Sequence, residues 1–238
     1  MPNSSDEPTN PSAKPSEGYW LAIETADRYG SIAVAQVSGS QLKLLGSQDL
    51  PHTVRSAQSL APAIQGLLTE HGLTGSSIST VAVAVGPGSF TGLRVGVATA
   101  KAFAYATGAG VIGVNTLDAL ASGQTSGARL WTALDAHRGE LFASLRTGSA
   151  PPDATPTQRI LREDFIAGLQ TGDHVVGPVV DSLDLENAEG VSSDTRDPNA
   201  QGVLQVAQEK WQAGEWDDVY QLVPQYYRAS AAEENLAS

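Results

Sequence analysis

Cysteine is absent from all 238 residues. That absence removes a disulfide framework, a thiolate metal site and a thiol nucleophile together, and it fits a reducing compartment. Basic residues are scarce too: 14 Lys and Arg stand against 26 Asp and Glu, a formal net charge of −12. A chain with that balance does not grip nucleic acid through its own phosphate contacts, so another subunit holds any RNA involved. No uninterrupted apolar run approaches the ~20 residues of a membrane span, and residues 1–18 lack the apolar stretch of a signal peptide. No membrane contact and a cytosolic location are expected. Histidine is limited to His52, His71, His137 and His174, no two of them at the i,i+4 spacing that sets paired metal ligands on one helix face. Each reads as an ordinary polar residue; no metal site, no protease and no catalytic residue is assigned.

The length suits one large domain or two small lobes, with enough buried surface to hold a core unaided. Residues 1–18, Pro- and Ser-rich with almost nothing to bury, read as a disordered leader, and residues 229–238 as a frayed tail. Between them, YWLAIET from Tyr19, SIAVAQV after Gly30 and QLKLLGSQ predict three strands in a meander. Over 53–70 the period becomes helical, with Val54, Ala57, Leu60, Ala61, Ile64, Leu67 and Leu68 on one face and Pro62 as a kink. ISTVAVAV (78–85) reads as a strand covered on both faces, followed by the loop GPGSFTG, a helix over 91–107, the strand GVIGV and a short helix from Thr116. The order βββαβαβα is the layout of one lobe of the actin-like (ASKHA) ATPase fold, an analogy of topology only. Residues 129–147 predict two more strands around Asp135 to Glu140, restarting the pattern in a second lobe that is reduced. The fold class is therefore α/β, with two lobes of mixed sheet flanked by helices, over 19–116 and 117–228. The Pro- and Thr-rich stretch 147–159 reads as a mobile connection.

Projected at about 100° per residue, the 91–107 helix has one polar stripe, Arg94, Lys101 and Tyr105. The remainder, including Val95, Gly96, Val97, Ala98, Ala100, Ala102 and Ala104, is small or apolar over roughly 260°. Two readings follow: a helix sandwiched inside its own domain, or one that packs a second protein alongside the helix at 53–70, since small residues let backbones approach closely. The second reading places the interface at Val54, Ala57, Leu60, Ala61, Ile64, Val95, Ala98, Thr99, Ala102 and Ala106. The loop from Gly86 to Arg94, set between a buried strand and a helix N-terminus, also reads two ways. Ser89 caps the helix in a tight turn, or the amides and glycines at Gly86 and Gly88, with the hydroxyls of Ser89 and Thr91, cradle a phosphate. Its spacing matches neither a P-loop nor GxGxxG.

As a string the loop is more specific. GPGSFTGLR followed by VGVATAKAFAYATG closely resembles the hallmark segment of the TsaB (YeaZ) family. LAIETADRYGSIAV resembles that family's first strand pair, NTLDALA its short third helix, LDAHRGELF its DARRGE-type turn and VPQYYR its C-terminal motif, all in order over residues 20–228. The resemblance implies a two-lobed ASKHA protein that does not complete a reaction itself. It implies a catalytic, metal-containing paralogue, TsaD, which transfers threonylcarbamoyl to the adenosine next to the anticodon in tRNA. It implies TsaE, an ATPase, as a third subunit, and docking of TsaD on the two first-lobe helices. A homodimer through the same surface is implied when TsaD is missing, with tRNA reached only through the complex. No cofactor is required by this chain, although ADP or ATP with magnesium at the partner interface is compatible with the family.

The alternative is a self-sufficient actin-like ATPase or phosphotransferase, which needs carboxylates to hold magnesium and orient water. Glu24 and Asp135 end predicted strands, but Glu24 stands where relatives place Asp, one methylene shorter, and Asp135 with Arg138 and Glu140 also reads as a salt-bridged turn. Thr25, Gly30 and Ser31 are the remaining phosphate neighbours. A further departure is Ser56, where relatives carry His near the start of the first helix; His52 lies one turn away and does not inherit that place.

Overall fold

The computed structural model describes residues 14–27, 30–51, 56–123, 129–147, 155–185, 192–194 and 196–228. Its first sheet contains β1 (Gly18–Glu24), β2 (Ser31–Ser38), β3 (Gln41–Asp49), β4 (Ile78–Gly86) and β5 (Gly110–Asn115), in the order β3-β2-β1-β4-β5. The first three strands pair antiparallel, while β4 runs parallel to β1 and β5 parallel to β4. Because side chains alternate across a strand, the sheet has two unequal faces. Leu21, Ile23, Ile32, Val34, Val81 and Val83 form the bulky face, packed under α1 (Ser56–Glu70) and α2 (Phe90–Thr107). Ala22, Ala33, Ala35, Ala82 and Ala84 make much of the opposite face small, with Trp20, Ile112 and Val114 beside them. That flat face receives α3 (Thr116–Ala121) and α5 (Ala200–Gln212), with Val203, Leu204 and Ala207 of α5 buried in the contact. Although α5 falls within 117–228 in the chain, it packs on the first sheet and not the second.

The second sheet contains β6 (Arg129–His137), β7 (Glu140–Arg146), β8 (Gln158–Leu161), β9 (Asp173–Val176) and β10 (Ser192–Asp194), in the order β10-β9-β6-β7-β8. With β6 matched to β1, this is the same arrangement: β7 and β8 follow antiparallel, β9 and β10 parallel. The lobe is reduced in its helices. The counterpart of α1 is α4 (Arg162–Ala167), 6 residues against 15, and where α2 would stand the described chain has a single turn, Val180–Ser182. This two-lobed mixed-sheet duplication is the actin-like fold. Asp173, with no exposed surface, anchors the lobe by accepting from Arg129 Nε (2.7 Å), Trp131 Nε1 (2.9 Å) and Gln170 N (3.0 Å).

Residues 14–17, assigned to the leader by composition, are instead pinned. Trp20 Nε1 donates to Ser16 O (2.8 Å), Trp211 Nε1 to Pro15 O (3.2 Å), and Ser16 N to Thr80 Oγ1 (3.3 Å). Buried indole N–H groups need acceptors, and this polar segment supplies them. Gly110 makes room for it, since a Cβ there would overlap the Pro15 backbone. Residues 1–13 and 229–238, and 148–154 of the expected connection, lie outside the described residues. Among those described, no helix is long and apolar enough to cross a membrane.

Candidate functional site

The loop between β4 and α2 is built around contact with the end of β1. Ser89 is the N-cap of α2, its Oγ accepting from Gly92 N at 3.2 Å, as the capping reading requires. Ser89 N donates to Ala26 O (2.6 Å) and Thr25 Oγ1 donates to Gly92 O (2.9 Å). A Cβ at Gly88 would overlap the Ala26 carbonyl, one at Gly92 the Thr25 carbonyl, and one at Gly96 the Thr25 hydroxyl. Gly88 and Gly92 therefore seat the start of α2 directly on backbone, and Gly96 seats it on the Thr25 side chain. Of the expected phosphate neighbours, Thr25 and Ser31 are buried, Ser31 Oγ accepting from Ala200 N (2.9 Å). Gly30 is packed against Glu24 O and Leu50, and Gly86 against Gln225 O. Those four are structural, and Gly88, Ser89 and Thr91 are the ones that reach the cleft between the lobes.

That cleft, about 880 Å³, has Ser89 and Thr91 on one wall and Asp135, His137 and Arg162 on the other. Asp135 sits at the β6–β7 hairpin, whose Arg138-Gly139 turn has φ of 55° and 81°. Its carboxylate accepts from His137 N (2.9 Å) and lies 3.4 Å from His137 Nδ1 and 3.8 Å from Arg162 Nη2. Glu24 is fully buried: Oε1 accepts from Ala26 N (2.6 Å), while Oε2 has no hydrogen-bond partner. Burial, reinforced by the neighbouring charges of Asp27 and Asp197, pushes its carboxyl up from 4.5 to about 8. At neutral pH Glu24 is a neutral acid, and Asp135 is engaged within its own hairpin. Among the described residues no group of three or more His, Asp or Glu is placed to hold a metal ion.

The wide apolar arc of α2 resolves into two arcs. Leu93, Gly96, Val97, Ala100 and Ala104 are buried against the sheet, while Thr91, Ala98, Ala102, Tyr105 and Ala106 are exposed. Ala98, Ala102 and Ala106, four residues apart, form an open stripe flanked by the exposed Ala57 and Ala61 of α1. Val95 and Thr99 are half-buried between them. Leu60 and Ile64, expected at the interface, point the other way, 1 % and 4 % exposed in the core; the apolar face of α1 is the one its own sheet requires. Val54 lies outside the described residues.

Arg94 and Lys101 of the polar stripe of α2 turn toward a strap formed by residues 215–228, which runs antiparallel to the helix, while Tyr105 stays exposed. Lys101 Nζ donates to Tyr220 O (3.1 Å) and Leu222 O (2.9 Å). Arg94 Nε donates to Tyr226 Oη (2.9 Å) with its guanidinium 3.9 Å from the Phe90 ring, itself stacked on Tyr226 at 4.2 Å. Val219 and Leu222 enter the first-lobe core, and Arg228 Nη1 donates across the cleft to Ala136 O (2.6 Å). Sequence periodicity does not reveal this docking. The available signal was a pair of cations on a helix without a single acid, which calls for acceptors from elsewhere.

The protein-family model described as "TsaD: tRNA N6-adenosine threonylcarbamoyltransferase" matches residues 53–182, more than half of the chain. A Bacillus subtilis protein named tRNA threonylcarbamoyladenosine biosynthesis protein TsaB is 26% identical over 227 residues, 90% of this chain and 95% of that one. Its Escherichia coli namesake is 36% identical over 127 residues, 51% of this chain and 52% of that protein. An uncharacterized Mycobacterium tuberculosis protein is 38% identical over 122 residues, a match that spans 56% of its length. The solved structure titled "YeaZ from Pseudomonas aeruginosa" superposes with a TM-score of 0.71 at 24% identity, covering 88% of this chain and 99% of that one, a likeness of fold. Matched over 90% of its length by the Bacillus subtilis protein, over about half by the other relatives and the family model, and by the two-lobed architecture, the chain belongs to the TsaB (YeaZ) family.

Proposed function

We propose that this chain is a partner subunit in tRNA threonylcarbamoyladenosine (adenosine 37) biosynthesis, which binds and activates the catalytic subunit TsaD and does not carry out the transfer itself. The observation that carries this reading is the open alanine stripe of α2, Ala98, Ala102 and Ala106, beside Ala57 and Ala61. In a chain of net charge −12, that pair of helices has one acid, Glu70, and its two cations are tied to the strap. A neutral, small-residue surface of two helices suits close packing by a second helix pair. The buried, protonated Glu24 supports assigning the chemistry to another subunit. Within this reading TsaE completes the assembly, ADP or ATP sits at the interface between subunits, tRNA is reached only through the complex, and the work is cytosolic. A second copy of this chain is the fallback occupant when TsaD is missing.

The test is light scattering behind size exclusion on this protein mixed with TsaD from the same organism, with tRNA threonylcarbamoylation assayed alongside. A defined heteromer and modification that depends on this chain are expected. Ala98→Arg, which places a charge on an exposed position, abolishes both while the thermal melt stays unchanged. Modification that proceeds without this chain, or equal binding by Ala98→Arg, refutes the proposal.

A further inference from the structure

The two lobes are joined by the chain itself where it passes from α3 to β6 and from β10 to α5. Between those crossings α3 packs on both lobes, Ala119 in the first-lobe cluster and Leu117 and Leu120 in one cluster with Leu130 and Leu134 of β6. The strap adds a connection that is not covalent. Its backbone bonds to the first lobe, Asp217 N to Val111 O (3.1 Å) and Gln225 N to Val85 O (2.7 Å). Lys101 and Arg94 of α2 hold it from the side, through the carbonyls of Tyr220 and Leu222 and the hydroxyl of Tyr226. Its end reaches the other lobe. Tyr226 stacks on Phe90 of α2, whereas Tyr227, next in the chain, packs edge-on to Phe142 of β7 at 6.2 Å. Arg228 Nη1 donates to Ala136 O (2.6 Å) and His137 O (3.4 Å) and lies 3.7 Å from Glu140 Oε2.

The place where Arg228 lands is strained. His137 and Arg138, neither of them glycine, have φ of 62° and 55°, a conformation that such residues keep only where their surroundings over-determine it. Ala136, whose carbonyl takes the shorter bond, sits at the register shift between Asp135 and His137. A guanidinium shared by two successive carbonyls and Glu140 fixes the backbone on both sides of His137. The same hairpin carries Asp135 and His137 into the cleft, opposite Ser89 and Thr91. Holding the end of the strap therefore holds one wall of the cleft. Arg228 reaches that wall with its side chain, so it can leave without unpairing any strand.

We infer that the strap is a releasable latch between the lobes. Arg94 and Lys101 fix it on α2, Tyr227 and Arg228 fasten the β6–β7 hairpin to it, and displacing it from α2 lets the second lobe turn about α3 and opens the cleft. Because Tyr226 and Tyr227 are consecutive and serve opposite lobes, the first-lobe end cannot shift along α2 without pulling on the second. The latch belongs to this chain by itself and does not depend on what docks at α2.

A chain without cysteine allows the cleft to be measured directly. Thr91→Cys and Glu163→Cys, exposed positions on the first and second lobes, carry nitroxide labels in the full chain. Pulsed electron paramagnetic resonance reads the distance between them, with thermal melts and circular dichroism alongside to confirm that each variant is folded. The parent is expected to give one narrow distribution. Arg228→Ala shifts it to longer distances and broadens it, and Arg228→Lys, which keeps a charged donor for Ala136 O, shifts it less. Arg94→Ala/Lys101→Ala gives the same shift although neither side chain bonds to the second lobe, an outcome that a merely local role of Arg228 does not produce. Gln201→Ala, which removes a surface bond to Ser47 in the first lobe, keeps the parent distance. A parent-like distribution in either Arg228→Ala or the α2 pair overturns the latch, and since each is read separately, failure of one to fold leaves the other to decide.

Discussion

Glu24→Gln isolates the energetic consequence of a buried acid. In the folded chain its carboxyl keeps its proton up to a pH of about 8, whereas in the unfolded chain it ionises near 4.5. Below the lower value both states are protonated and the group contributes nothing to pH dependence. Between the two, the folded state binds one more proton than the unfolded state, so stability falls as pH rises, by about 1.4 kcal/mol per unit. Above about 8 both states are ionised and the slope vanishes, with the native stability given by the neutral acid entirely lost. At pH 7 the accumulated penalty is about 3 kcal/mol, a substantial part of the 5–15 kcal/mol typical of a domain. Glutamine keeps the acceptor that takes Ala26 N, and its amide replaces the protonated oxygen, which has no partner to lose. Urea unfolding of both proteins at pH 5, 6, 7 and 8 is therefore expected to show a stability difference that grows steadily in favour of Glu24→Gln. Burial also raises Asp118, Asp197 and Glu209, which share the sign, so the difference between the two proteins and not the raw slope is the quantity to read. A difference that is flat over this range would mean that Glu24 is ionised in the fold, and the reading of it as a neutral structural acid would collapse.

Gly92→Ala drives a methyl group into the Thr25 carbonyl and displaces the start of α2. A loss of about 2–3 kcal/mol is expected, read as a fall of roughly 5–10 °C in the melting temperature. Gly66→Ala on α1, where a Cβ meets nothing within 4 Å, is the matched control. It gains about 0.5–1 kcal/mol from helix propensity, and equal effects at the two sites would contradict the close approach of α2 to β1. Asp173→Ala leaves Arg129, Trp131 Nε1 and Gln170 N without their shared acceptor. It is expected to destabilise the second lobe by about 3 kcal/mol, with amide exchange rising over β6 and β9 well before β1 and β4; uniform protection loss would show that the lobes do not open separately.

Much of the first lobe was legible because its signals are local. The alternation in YWLAIET and ISTVAVAV, the cap at Ser89 and the helical spacing from Leu60 to Leu68 each lie within a few residues, and each became the expected element. Period gave the composition of the α2 surface but not its division. A projection over roughly 260° of apolar arc cannot say which part meets the sheet, since Ala100 and Ala102 are chemically identical and only one is buried. The same limit misassigned Leu60 and Ile64, and composition alone misread residues 14–17, whose order comes from two indoles, Trp20 and Trp211. The candidate site depends still more on distance along the chain. Lys101 meets carbonyls 119 and 121 residues away, Arg94 a hydroxyl 132 away, and Ser31 caps an amide 169 away. Short windows of sequence carry the strands, the capped helix and the family motifs, and composition carries the acidic, cysteine-free character of the chain. Which alanines stay open, that Glu24 is sealed with its proton, and that the strap of residues 215–228 borders α2 follow only from the tertiary structure, because each depends on how distant segments share one low-dielectric interior.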